Sequence, residues 1–575
     1  MRLRRTRFAA ASILAASLIF SLALKTKAND GDHDRDDRWY GGTKTPIQHV
    51  VVIFQENVSF DHYFATYPHA QPNTGAGQPA VLFKGPKDDT PRVNGLEHGG
   101  LLTNDNPNAR NPLNAPNNIP PFRLDRSQAS TCDQGHNYGP EQQAADQGLM
   151  DAFPKFTGSS SCGAAFAYGK STGLVLGYFD GNTVTALWNY AQNFAMSDNS
   201  YSSTFGPSTP GVLNLVAGNT YKATTTGTAS PKIVPNTNPA TLTTGTLVGD
   251  LDPTGDICSA GTTVQLSGPN IGDLLSAKGV TWGSFMGGFN LQGMGAAGCA
   301  LSHPASPSNG GPTADYIAHH SFFNYYASTA NYQHTRPASI HEIGNAGPAN
   351  HQYDLQDFYA ALNADHLPDV SFVKAIAAQD GHAGYSDPLL EQQFLVTIVN
   401  AIMESRYWQN TAIIVLYDDS DGWYDHQMGP IVNPSAEIAG GATSSTSDQL
   451  NVLTPITILP QTMVCGHGAP LADNTNTPIQ GRCGYGMRQP LLVISPYAKA
   501  NFVDSTLTDQ SSVLRFIEDN WQTGRIGGGS FDAIAGSLLN MFDFDDRVRA
   551  EGRELLLDPT TGQVKPDHDH DRGRW

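Results

Sequence analysis

A chain of 575 residues is too long for one small core; at about 150 residues per domain it makes three or four units, or one large α/β enzyme. Lys and Arg total 34 against 53 Asp and Glu, a net charge of −19, which excludes a nucleic-acid backbone binder and a polybasic surface docking on anionic membranes. Gly (58) and Pro (37) are abundant, but 39% hydrophobic residues excludes intrinsic disorder, so a loop-rich globular protein is expected.

In chain order, Met1-Arg2-Leu3-Arg4-Arg5-Thr6-Arg7 is basic, Phe8 to Leu24 is apolar, and small residues end near Ala28. Residues 1–28 therefore read as a secretory signal, with a retained anchor as the alternative. No later run approaches the roughly 20 apolar residues that span a bilayer. The expectation is an exported protein, periplasmic or secreted, without a stable membrane anchor once the signal is removed. Residues 29–45 read as a polar linker, 46–545 as the body of the protein, and 546–575 as a charged, solvated tail. The six cysteines, Cys132, Cys162, Cys258, Cys299, Cys465 and Cys483, suit disulfides in an exported chain, and sequence proximity favours 132–162, 258–299 and 465–483.

Within the body, His49 to Phe54, Thr411 to Tyr417 and Gln489 to Ser495 are apolar stretches without alternation, the pattern of strands buried on both faces of a parallel sheet. Pro388 to Trp408 and Ser511 to Asn520 have helical composition. Strands alternating with helices predict an α/β fold with a central, mostly parallel sheet. Residues 220–315, rich in Thr, Gly, Asn and Pro, read as an insertion.

Polar clusters follow two of these strands: Glu56-Asn57 after the first, and Asp418-Asp419 after the second. In open α/β sheets ligands gather at the carboxyl ends of strands, so the two clusters are expected to share one crevice. Adjacent carboxylates repel unless a cation sits between them, and an all-oxygen set favours a hard divalent ion such as Mg²⁺, Ca²⁺ or Mn²⁺. A solvated turn is the alternative for either cluster taken alone. Ser208 follows Gly206-Pro207 and leads into an apolar run, where a helix N-terminus would present N–H groups to an anion and a nearby metal would activate the hydroxyl; a plain N-cap is the alternative. His136, His319, His320, His382 and His426 lie in polar, turn-rich surroundings and could hold phosphate oxygens or protonate a leaving group.

Glu56-Asn57-Val58-Ser59-Phe60-Asp61-His62-Tyr63-Phe64 resembles the opening signature of the bacterial phosphoesterase family of non-haemolytic phospholipases C and related acid phosphatases. The resemblance continues through His136, Gly148 to Phe153, Gly177 to Asp180, Gly206 to Pro210, Asp418 to His426, Arg488 to Pro490 and Ser512 to Glu518, covering about residues 46–545. It implies an alkaline phosphatase-like fold, with Glu56, Asn57, Asp418, Asp419 and Ser208 as metal ligands and Ser208 as nucleophile. By the same resemblance His136, His320 and His382 surround the phosphoryl group together with His319, while Asp425 and His426 support the site. Val58, Gly211 and Gln427 depart from the family pattern. Ser208 and the Asp-Asp pair look more like the acid phosphatase branch than the phospholipase C branch.

The expected activity is hydrolysis of small phosphomonoesters through a phosphoserine, with His136 or His382 protonating the leaving group. The alternatives are a phospholipase C acting on phospholipid head groups and, further off, a non-catalytic exported binding protein.

Overall fold

The β-branched run after the linker forms a strand, His49–Gln55 (β1), whose residues from Val50 onward are buried. The computed structural model describes residues 42–159, 171–227, 232–235, 244–304, 311–436, 447–451, 465, 469–545 and 553–566. The expected signal, linker residues 29–41, Cys162 and tail residues 546–552 and 567–575 lie outside the described residues.

Seven further strands complete the central sheet: Ala195–Ser197 (β2), Trp282–Met286 (β3), Gln352–Asp354 (β4), Val370–Lys374 (β5), Thr411–Tyr417 (β6), Leu491–Ile494 (β7) and Phe502–Asp504 (β8), in the order β4-β3-β5-β1-β6-β7-β2-β8. Every pairing is parallel except those made by β7, which runs antiparallel to both β6 and β2. This corrects one expectation, because the pattern of β7 reads as parallel like those of β1 and β6. Its four residues are fully buried, and an unbroken apolar run encodes burial on both faces but not strand direction. The mixed α/β architecture with a mostly parallel sheet is as expected.

Register decides which residues meet. β1 pairs with β6 from His49–Thr411 to Gln55–Tyr417, so Glu56 and Asp418 leave the sheet side by side. On the other flank Ile53 pairs with Val373, which brings Lys374 level with Phe54.

Four of the helices are Tyr138–Ala145 (α1), Ser208–Ala217 (α2), Pro388–Met403 (α3) and Ser511–Trp521 (α4). α3 starts where Asp387 accepts hydrogen bonds from Leu389 N at 2.9 Å and Leu390 N at 3.0 Å, and Pro388 suits the first helical position. It buries Phe394, Leu395, Ile398, Val399 and Ile402 in the core. At about 1.5–3 kcal/mol per fully buried large aliphatic or Phe side chain, that face rather than intrinsic propensity fixes the helix. It stops at Met403, short of the expected Trp408, and a separate 3₁₀ turn spans Trp408–Asn410.

The insertion is smaller than expected. A second sheet of five short strands lies between Tyr221 and Leu266, but β3, inside the expected 220–315 span, belongs to the central sheet. Its sequence, Trp-Gly-Ser-Phe-Met, lacks the β-branched signal and is held by burial between β4 and β5. Part of the C-terminal segment also differs from a solvated tail. Leu557 is fully buried and exchanges hydrogen bonds with the Asn400 side chain of α3, while Arg126 and Gln392 donate to Thr560 O. Of the expected disulfides, Cys258–Cys299 and Cys465–Cys483 are formed, with Cα separations of 5.4 and 5.6 Å.

Candidate active site

Glu56 and Asn57 at the end of β1 and Asp418 and Asp419 at the end of β6 converge as the register requires, and all four are essentially fully buried. Asn57 takes a positive φ of 57°, and its N–H donates to Asp418 Oδ1 at 3.1 Å, as does that of Asp419 at 2.8 Å. Ser208 is the first residue of α2, and its Oγ lies 3.0 Å from Asp419 Oδ2 and 3.3 Å from Glu56 Oε2. The crossing of α2 over the β6 exit is close because position 211 is glycine: a Cβ there would stand 2.2 Å from Asp418 O. Glu141 of α1 joins the two loops from behind, accepting from Gly206 N at 2.8 Å and Ser420 Oγ at 2.6 Å.

Ser208 opens from this cluster onto a cavity of about 690 Å³ that is also lined by His136, Asp250, His319, His320 and His382, among others. His136 Nδ1 lies 3.1 Å from Asp421 Oδ1. Burial disfavours its protonation, but the charge of Asp419 and the contacts with Asp421 and Asp133 outweigh that and hold it well above the ordinary imidazole value. His320 goes the other way: burial first, then repulsion from the neighbouring His319 and Lys374, hold it well below. Burial also lowers His382, whose Nδ1 faces the carbonyl of Ala383. His319 is partly exposed at the rim, 3.5 Å from Asp252 Oδ1.

The α2 N-terminus differs from expectation in one respect: the Thr209 N–H donates to Asp250 Oδ1 at 2.9 Å, so it is already committed to a carboxylate. His319 and His136 outweigh burial and hold Asp250 below the usual carboxylate value.

The donor set fits a hard cation. Burial, then the charge of Asp418, push the carboxyls of both Glu56 and Asp419 well above their usual range even with Lys374 beside Glu56 and His136 near Asp419, as expected where negative charge outweighs the cations around it. The Asn57 side-chain oxygen lies 2.6 Å from Glu56 Oε2 and 2.9 Å from Asp418 Oδ1, while its amide nitrogen lies 3.2 Å from His382 Nε2. Rotating the amide would let its nitrogen bridge the carboxylates. However, a neutral His382 that donates from Nδ1 to Ala383 O has a free lone pair on Nε2, which accepts from the Asn57 nitrogen in the unrotated state. That leaves three buried side chains turning oxygen toward one point, which a cation resolves.

A model of the phosphoesterase family matches residues 47–524. The chain belongs to the phosphoesterase family. Its relatives include the non-hemolytic and hemolytic phospholipases C of Pseudomonas aeruginosa, 24% identical over 91% of this chain and 23% over 88%. This phosphoesterase spans only about three fifths of their lengths, 60% and 57%. Phospholipase C A of Mycobacterium tuberculosis is 23% identical over 88% of this chain and 78% of its own. Among solved structures, murine ectonucleotide pyrophosphatase/phosphodiesterase 5 overlaps 63% of this chain and 95% of its own at 14% identity and a TM-score of 0.28. An alkaline phosphatase superfamily protein from Vibrio parahaemolyticus overlaps 71% and 74% at 13% identity and a TM-score of 0.24.

Of the residues singled out in this phosphoesterase, Glu56, Asn57, Ser208, Asp418, Asp419, His136, His320 and His382 come together, with His319 at the rim. Asp425 and His426 do not line the cavity. They form a buried ion cluster in which Arg488 Nε lies 3.1 Å from both Asp425 oxygens, Arg488 reaches Asp61 at 3.1 Å, and His426 Nδ1 lies 2.6 Å from Asp61 Oδ2. This cluster ties the loop after β1 to the loop after β6. Sequence reasoning missed Lys374, Asp380, Asp133, Asp250 and Glu141. Lys374 was within reach, because it ends the short buried strand Val370-Ser371-Phe372-Val373 much as Glu56 follows β1. The others sit in segments with no periodic signal. No helix among the described residues is long and apolar enough to cross a membrane.

Proposed function

We propose that this phosphoesterase is an exported, metal-dependent phosphatase that hydrolyses small phosphomonoesters through a phosphoserine on Ser208. The observation that carries the reading is the placement of Ser208 Oγ, within hydrogen-bond distance of Glu56 and Asp419 and on the wall of a cavity bordered by four histidines. Glu56, Asn57, Asp418, Asp419 and Ser208 would hold one divalent cation of the Mg²⁺, Ca²⁺ or Mn²⁺ type. When bound, such an ion supplies Lewis-acid neutralisation of charge on the phosphoryl oxygens and favours the serine alkoxide.

The chain's own groups do the rest. Asp419 Oδ2 and Glu56 Oε2, at 3.0 and 3.3 Å from Ser208 Oγ, lie where the Ser208 proton can go. Ser208 Oγ forms a bond to phosphorus as the bond from phosphorus to the ester oxygen breaks, in line. His136, held protonated, gives its proton to the departing oxygen, and the alcohol leaves. Water then attacks the phosphoserine, a proton returns to the serine, and inorganic phosphate is released. His382, with its Nε2 facing Asn57, fits orientation of that amide better than proton donation, and His319 and His320 hold phosphoryl oxygens. The Asp425–His426–Arg488 cluster acts through the loops it fastens.

The names of the relatives favour a second reading, a phospholipase C cleaving a phosphodiester at the same centre. Hydrolysis of p-nitrophenyl phosphate and of p-nitrophenylphosphorylcholine, before and after chelation, separates the two. The proposal requires the monoester to be the better substrate and both activities to be lost on chelation. A diester preference establishes the phospholipase, and no loss on chelation removes the metal.

A further inference from the structure

Glu56 faces two ways. Its Oε2 is turned to Ser208 and the Asn57 amide, whereas its Oε1 receives the ammonium of Lys374 and lies 3.2 Å from His320 Nδ1. On this second side Glu56, His320 and Asp380 each present a donor atom, all within 4.8 Å of one another. Asp380 Oδ2 stands 4.0 Å from His320 Nδ1, and the main chain fixes Asp380 by donating to it from His382 N at 3.0 Å. Two carboxylates and an imidazole make a cation's donor set in their own right.

A cation already stands against Glu56, and it is part of the chain. Lys374 is 1% exposed, reaches in from the end of β5, and its Nζ also meets the Phe54 carbonyl, at 3.4 Å, and the Phe54 ring. Burying an ammonium is costly unless it is paired, and the carboxylates around it supply that pairing. The lysine is also placed by the sheet itself, since the β1–β5 register sets it level with Phe54 and therefore beside Glu56. In two-metal phosphoryl-transfer centres a pair of cations about 3.5–4 Å apart clamps the reacting oxygens. Here one carboxylate is shared between the oxygen cage around Ser208 and an ammonium.

We propose that Lys374 is a built-in substitute for a second divalent cation: its ammonium, paired with Glu56 Oε1 at the corner that Glu56 shares with His320 and Asp380, restricts the centre to one metal ion. The inference rests on the reading of Glu56 as a ligand of that metal. Lys374 acts on the reaction through Glu56 and is a positioning residue. Its ammonium holds Glu56 by Oε1 and leaves Oε2 turned toward Ser208 whatever the free metal concentration, which an exchangeable second cation would not do. Removing the lysine side chain leaves an anionic seat that a second divalent ion can fill, bridged to the first by Glu56.

The test counts metal. The full chain is stripped with a chelator, titrated with Mn²⁺ and analysed for bound metal after desalting, with electron paramagnetic resonance as the spectroscopic readout. Wild type and Lys374→Arg are expected to bind one Mn²⁺ per chain with an isolated-ion spectrum. Lys374→Ala is expected to bind two with an exchange-coupled spectrum, and Lys374→Ala combined with Asp380→Asn is expected to fall back to one. Two Mn²⁺ in wild type, one in Lys374→Ala, or a Lys374→Ala chain that does not fold even in excess Mn²⁺ overturns the inference. A wild type that binds one Mn²⁺ and hydrolyses esters while Lys374→Ala also stays at one leaves the functional reading standing. A wild type that binds none overturns both.

Discussion

Gly211 sets how closely the helix of the candidate nucleophile approaches the acidic loop, and Gly211→Ala separates two opposing effects. Alanine inside a helix ordinarily gains about 0.8–1.0 kcal/mol over glycine. Here the added Cβ would lie 2.2 Å from Asp418 O, 2.7 Å from its carbonyl carbon and 3.0 Å from its Cα, all backbone atoms that no rotamer change can move. Reaching ordinary contact at about 3.5 Å requires α2 and the β6 exit to part by about 1.3 Å. Overpacking costs about 1–3 kcal/mol, so the net loss of stability after the propensity gain is about 0–2 kcal/mol. The catalytic loss is larger, because misplacing reacting groups by 1 Å costs about 10²-fold. Ser208 and the Asp418–Asp419 pair sit on the two elements being separated. Steady-state kinetics on p-nitrophenyl phosphate at saturating metal, alongside thermal unfolding, should give a kcat lowered about 10²-fold or more in a protein that still unfolds cooperatively. A kcat within threefold of wild type would refute the claim that this contact sets the geometry.

His136 is held above its unfolded value, so its proton-donating form persists through neutral pH and kcat/KM should fall on the alkaline side; His136→Ala should remove that limb, and a limb that stays assigns it elsewhere. By linkage the stabilisation from this protonated histidine is full below its unfolded pKa of about 6.5 and is lost as pH rises through the raised folded value, which a series of unfolding curves checks. The Cys258–Cys299 bond spans 41 residues, for which the loop-entropy estimate is about 4 kcal/mol, so the double Cys→Ala variant should unfold at lower denaturant by up to that amount with kcat unchanged.

The sequence was most legible where burial and position speak together. β1 and β6 are unbroken apolar runs, and their exits carry Glu56, Asn57, Asp418 and Asp419, so the crevice could be read from strand ends alone. Short or weakly patterned strands were not legible: β2 has three residues, β3 contains glycine and serine, and both are held by neighbours distant in sequence. Lys374, Asp380, Asp250 and Glu141 reach the site only through tertiary placement, one per loop or element, with no spacing that links them. Gly211, a departure from the family pattern, has a physical reason in this chain, the close approach of Asp418. Asp425 and His426 could be located in the sequence, but their partners Asp61 and Arg488, 364 and 63 residues from Asp425, could not be assigned before the fold placed them.

The central claim is that Ser208 carries the phosphoryl group. Acid quenching during steady-state turnover of a phosphomonoester, followed by peptide mass spectrometry, tests it directly. The account predicts one phosphoryl group on the peptide containing Ser208, absent without substrate and absent in a Ser208→Ala variant that has lost turnover but still binds inorganic phosphate. Phosphate trapped on another residue, or a Ser208→Ala variant with near-normal turnover, would contradict it.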